Sequence, residues 1–178
     1  MTLYSTDSRC TQKRPVRYLW AGETPIQLDD PTENTTAAVA ERFASEAANQ
    51  ELSQGRIELK HFQKYKIKLK AFLESKLCRL QQGKLTPGSE VIPIEKVKHY
   101  ARMFELRWHH ETTFHKSHKI QIRHYVGEPL EIEDSVFGLA MHLKDTTGTE
   151  SEITRKQNEQ IDKALELYRK HSSNGWNL

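Results

Sequence analysis

Two periods of hydrophobic and polar alternation run along the chain, and the places where one gives way to the other predict its elements. A polar stretch, residues 1–15, predicts mobile chain, and "VRYLW" (16–20) follows as a short strand. The segment "ETPIQLDDPTENT" (23–35), with Pro25 and Pro31, predicts a loop. "ENTTAAVAERFASEAANQE" then predicts a helix, with Asn34, Thr35 and Thr36 as caps and Gly55 as its end. Residues 56–83 carry both periods. Leu59, Phe62, Leu69, Leu73 and Leu80 recur at helical spacing, yet "KYKIKLKAFL" alternates like a strand; length and the stop at Gly83 favour a helix. A loop around "PGS" leads to two runs of strand period, 102–113 and 118–127, which predict an antiparallel hairpin. "DSVFGLAMHLKD" (134–145) suits a third strand or a short helix. "SEITRKQNEQIDKALELYRKH" is the clearest helix, with Ile153, Ile161, Ala164, Leu165 and Tyr168 on one side and Thr149 or Ser151 as its cap.

The hairpin pattern also sorts side chains by face. Phe104, Leu106, Trp108, His110, Thr112 and Phe114 alternate with Arg107, His109, Glu111 and Thr113; Ile120, Ile122, His124 and Val126 alternate with Lys119, Gln121, Arg123 and Tyr125. With both apolar faces inward, Phe114 is expected near Ile120 and His110 near His124, and Arg107, His109, Lys119, Arg123 and Tyr125 line the opposite face.

Composition changes this picture in one respect. At 36% hydrophobic and 29% charged, the chain is polar for a globular domain and predicts a modest core. No apolar run approaches the ~20 residues of a membrane span, and no signal-type apolar segment opens the sequence, so a cytoplasmic protein without a membrane partner is expected. Cys10 and Cys78 are too few and too far apart for a disulfide framework or a zinc site. The net charge of +3 is unevenly spread: −3 in residues 1–55, +7 in 56–84, +3 in 85–127 and −4 in 128–178. A basic middle favours a polyanion through counterion release. Lys64, Lys66, Lys68, Lys70 and Lys76 are its candidate phosphate contacts, joined by Lys119 and by Tyr125 as a surface for base stacking. The competing reading of such a run is a solvated lysine face.

Five of nine histidines fall within "ELRWHHETTFHKSHKIQIRHY" (105–125). A metal site is disfavoured: "HETTFH" has one residue too many for the four-residue histidine spacing of a zinc-protease helix, and "HKSH" lacks a completing cysteine or acidic cluster. No cofactor is called for. Acid–base chemistry fits better, since a histidine exchanges protons near neutral pH while arginine and lysine hold phosphate oxygens. His109 and His118 are the acid–base candidates.

The segments "MFELRW" (103–108), "HKIQIRHY" (118–125), "VFGLAMHLKDTTGT" (136–149) and "SEITRKQNEQIDKALELY" (151–168), preceded by "IPIEKVKHYAR", resemble the RelE/ParE superfamily of toxin–antitoxin toxins, above all its HigB-like branch. The resemblance implies an α+β fold, a small twisted antiparallel sheet with an N-terminal helical hairpin and a C-terminal helix. Residues 34–178 would form this RelE-like domain and residues 1–33 a polar arm with a short strand. It further implies metal-free endoribonuclease activity on messenger RNA, often on the ribosome, and a cognate antitoxin protein as partner. By position, Arg107 matches the arginine of the first strand motif, Lys119 or Arg123 the basic residue of the next strand, and Lys144 the lysine after the third. Asp145 departs from the family's second lysine, the histidine-rich loop is longer than usual, and the N-terminus exceeds that of a typical toxin. The alternatives are a nucleic-acid-binding protein without catalysis, or a protein-inhibiting factor such as a ParE-like gyrase poison or a phage-encoded inhibitor.

Overall fold

A computed structural model describes residues 7–26, 35–114 and 119–178. His115 and His118 lie outside the described residues. Strand β1 (Arg17–Trp20) is followed by helices α1 (Thr35–Ser53) and α2 (Phe62–Gln81), strands β2 (Val91–Pro93), β3 (Met103–Glu111), β4 (Lys119–Gly127) and β5 (Ser135–Leu143), and helix α3 (Glu150–Ser173). The strands form one sheet in the order β1-β5-β4-β3-β2. The fold is α+β, with the expected helical hairpin and C-terminal helix. All neighbours are antiparallel except β1, which runs parallel to β5.

The helices cover opposite faces of the sheet. Alanines 40, 44, 47 and 48 give α1 a small-residue seam against α2, whose Leu69, Leu73, Leu77 and Leu80 are fully buried. Together they pack on Leu106, Trp108, Ile120, Ile122 and Val126. The helical period wins over the strand period in residues 62–81 because it alone puts these leucines on one side. On the other face, Ile161, Ala164 and Leu165 of α3 pack with Met103, Tyr125, Phe137 and Leu139. Thr149 and Glu152 close the N-terminus of α3 as a reciprocal capping box. Among the described residues no helix is long and apolar enough to cross a membrane.

The hairpin register differs from the expected one. His110 faces Ile120, and His124 faces Leu106 rather than His110. The connection is four residues longer than the alternation suggested. An even shift leaves every side chain on its predicted face, which is why the inward and outward sets stand.

Residues 8–10 are packed into the fold, where mobile chain was expected. Ser8, Arg9 and Cys10 are buried. Glu128, fully buried, accepts from Ser8 Oγ (2.6 Å) and from the Arg9 backbone N–H (3.0 Å), while the Arg9 guanidinium donates to the carbonyls of Pro129, Ile132 and Ser135. The chain then passes α2 at Gly83, whose positive φ of 63° closes the helix. A Cβ there would meet the Arg14 carbonyl oxygen at 2.7 Å, so glycine serves both the cap and the close approach.

Candidate functional site

The cationic side chains of the sheet gather on the face that carries α3, beyond the part the helix covers. In cross-strand register Arg107 faces Arg123, and Arg123 faces His142. The adjacent rows hold Glu105, Tyr125 and Ala140 on one side, and His109 and Gln121 on the other. Lys144 continues this second row, its backbone N–H donating to the Gln121 carbonyl at 2.8 Å.

A bulge in β5 builds this arrangement. Tyr125 pairs with Ala140 but Val126 pairs with Gly138, so the register slips by one residue. Strict alternation from Phe137 would turn His142 and Lys144 toward α1 and α2. The extra residue reverses the parity and brings both to the row of arginines.

Glu105 sits at the centre, 4% exposed. Its carboxylate accepts from Arg107 Nε (3.1 Å) and Nη2 (3.3 Å) and from Gln157 Nε2 of α3 (3.2 Å). Arg123 Nε lies 2.8 Å from the same carboxylate, but its hydrogen is not directed at the oxygen, so the contact is an ion pair without a hydrogen bond. Arg123 is 5% exposed, and its Nε and Nη1 have no hydrogen-bond partner among the described residues. A buried guanidinium with unused donors favours an anionic acceptor. Three cations, Arg107, Arg123 and Lys144, thus face one carboxylate. Burial lowers the pKa of Lys144, and the positive charges of Arg123 and Arg107 lower it further. Burial also lowers His142, which therefore stays neutral at pH 7. Its Nδ1–H donates to the Leu143 carbonyl (3.0 Å), which leaves Nε2 as an acceptor, 3.5 Å from the Tyr125 hydroxyl.

Of the residues singled out in the sequence, Arg107, Arg123 and Lys144 come together, and His109 lies exposed in the next row. Lys119, at the start of β4, is 72% exposed and 4.0 Å from Glu111. Tyr125 is fully buried, so it offers no ring for base stacking; it belongs to the core beneath α3. The lysine run is not a single stripe. In a helix, positions two apart fall on different sides. Lys66 and Lys70 both bind Glu41 of α1 (2.6 and 3.0 Å), and Lys76 binds Glu90 (2.6 Å). The two lysines hold the Glu41 carboxyl down at about 2. Lys64 and Lys68 are exposed on another side of α2, with Lys68 Nζ 4.9 Å from the centre of the Phe114 ring. Three members of the site escaped the sequence reading: Glu105, His142 and Gln157. The first two stand two positions from Arg107 and Lys144, a spacing that marks them as neighbours on the same strand face.

Of the other histidines, His110 and His124 point into the core. His124 accepts from the Tyr18 hydroxyl (3.0 Å) and donates to the Ala140 carbonyl (2.8 Å), and burial pushes its pKa down to about 4. Among the described residues no three histidines, cysteines or carboxylates gather as metal ligands. Compared with protein-family models, curated proteins and solved structures, the chain matches none.

Proposed function

We propose that the chain is a RelE-like, metal-independent endoribonuclease of toxin–antitoxin type, acting on messenger RNA in the cytoplasm, with a cognate antitoxin as its protein partner. One observation carries this reading: Arg107 and Arg123 face each other across β3 and β4, beside Lys144, and buried Arg123 has donors without partners. In this reading the three cations hold the scissile phosphate and offset the negative charge that grows on its oxygens during attack. His142 Nε2, neutral and unprotonated, takes the proton of the ribose 2′-hydroxyl as O2′ attacks phosphorus. His109, on the other side of the arginine pair, gives a proton to the departing 5′-oxygen. The products are a 2′,3′-cyclic phosphate and a 5′-hydroxyl.

The test is induced expression with mapping of RNA 5′ ends, wild type beside Arg107→Ala. Wild-type expression should arrest growth and leave cut messages, and Arg107→Ala should lower cleavage by about 10²–10³. Arg107 is partly exposed, so its loss should leave the fold intact. A second reading, RNA binding without cleavage, is favoured by Glu105, which neutralises part of the charge that a transition state would use. Wild-type protein that retains RNA but cuts none would select it.

A further inference from the structure

The end of the sheet beside the cationic row opens into a cavity of about 480 Å³, within the usual range for ligand pockets. Ile120 and Leu143 give it an apolar floor. Two side-chain amides, Gln50 and Gln54, reach it from the C-terminal turn of α1 and the residue beyond, and a third, Gln121, from β4. Lys144 lies on its rim and belongs also to the cationic row.

Arg56 lines the same cavity and is held in one orientation. Its Nε donates to Glu51 Oε2 at 2.9 Å, and its Nη2 donates to Glu51 Oε1. Glu51 is 2% exposed, although it sits near the end of a polar helix. A carboxylate this buried fixes the plane of the guanidinium, while Arg56 itself remains about one-third exposed. A guanidinium fixed along its edge has its flat faces left to offer, and such faces stack on nucleobases. Side-chain amides make the paired hydrogen bonds that base edges accept and donate.

Charge divides the region in a way that suits a nucleotide. Within the cavity Arg56 is balanced by Glu51 and Asp145 by Lys156 (2.6 Å), while Lys119, which also lines it, turns largely to solvent and lies 4.0 Å from Glu111. In the adjoining row Arg107, Arg123 and Lys144 face Glu105. A neutral, amide-lined space therefore borders an anion-attracting one. Gln121 stands two positions from Arg123 on β4, about 7 Å along the strand, comparable with the separation of a phosphate from its base.

We infer that this cavity is a nucleobase subsite, taking the ring of the nucleotide whose phosphate rests on Arg107, Arg123 and Lys144. Arg56 supplies the stacking plane and the three glutamines the polar edge. The phosphate half of this inference rests on the proposed function; the base half rests on the cavity.

Calorimetric titration of the full chain separates the two, with ribose 5-phosphate, the four nucleoside 3′-monophosphates and the four nucleosides as probes. At least one nucleoside monophosphate should bind about fivefold or more tighter than ribose 5-phosphate, the lower range for one stacked base. Arg56→Lys keeps the charge and loses the plane; Gln54→Ala alters an exposed side chain. Both should remove the preference and leave ribose 5-phosphate binding unchanged. Equal affinity for ribose 5-phosphate and all four monophosphates would overturn the subsite while sparing the phosphate site. A preference that survives both variants would overturn it too. Nucleosides that bind in an Arg56-dependent way, with no binding of ribose 5-phosphate, would keep the subsite and remove the phosphate reading. No binding of any probe would end both.

Discussion

Glu105 and His124 show how little a residue's identity says about its task until its face is known. Both are buried polar groups on neighbouring strands of one hairpin. Glu105 belongs to the open side and restrains two arginines. Replacing it with glutamine removes the opposing charge, so Glu105→Gln should bind RNA on the order of tenfold tighter at low salt, with the gain shrinking as salt rises. Filter binding against ionic strength checks this, and unchanged affinity would mean that Arg107 and Arg123 do not meet the RNA. His124 belongs to the core. An imidazole that accepts a proton near pH 6.5 when unfolded, but only near pH 4 when folded, stabilises the fold fully above pH 6.5. That stabilisation is lost as the pH falls from 6.5 toward 4, by about 3 kcal/mol in all. Urea melts at pH 7 and pH 4.5 should show the loss, and His124→Gln should remove most of it. The alternation placed His124 inward but could not supply its partners, because Tyr18 lies 106 residues away.

At the level of elements, the periods were legible and the pairings were not. Leu69, Leu73 and Leu80 announce α2, and the alternation of 102–113 and 118–127 announces the hairpin, because each pattern is local. The bulge in β5 is set by what lies across it. In "SVFGLAMHL" only Gly138 hints at the slip opposite Tyr125 and Val126 that turns His142 toward the arginines, and a glycine alone does not set its direction. The lysines of α2 mislead for a similar reason. Their charge is visible in the sequence, whereas the carboxylates that claim Lys66, Lys70 and Lys76 come from α1 and from the loop before β2. RNA affinity should therefore depend unequally on the run. Lys64→Gln with Lys68→Gln should reduce the slope of log affinity against log salt by about 1–2, whereas Lys66→Gln with Lys70→Gln should change it little and loosen α1 from α2 instead. Equal effects of the two pairs would mean that the ion pairs with Glu41 yield to RNA.

For the whole molecule, the sheet is completed by its first strand rather than its last. β1 pairs with β5, and Arg9 is held by carbonyls of residues 129, 132 and 135. Contacts across more than a hundred residues close late, because the entropy of the intervening chain must be met first. On a ribosome the consequence is a waiting period. Residues 10–16 can meet the end of α2 early, through Leu85 N–H to the Cys10 carbonyl and Lys13 N–H to the Gly83 carbonyl (both 2.9 Å). Glu128 and the carbonyls that hold Arg9 are made more than a hundred residues later, and until then the burial of Cys10 is incomplete. In the finished fold Cys10 is fully buried and its pKa is raised, chiefly by burial, whereas Cys78 is exposed. A thiol reagent should thus label Cys78 rapidly and Cys10 slowly in the complete protein. In nascent chains arrested between Leu85 and Glu128, Cys10 should label faster than in the complete fold, and it should fall silent as Glu128 and β5 leave the exit tunnel. The buried thiol is then a clock for the closing of the sheet by β1, readable without any knowledge of what the finished protein does.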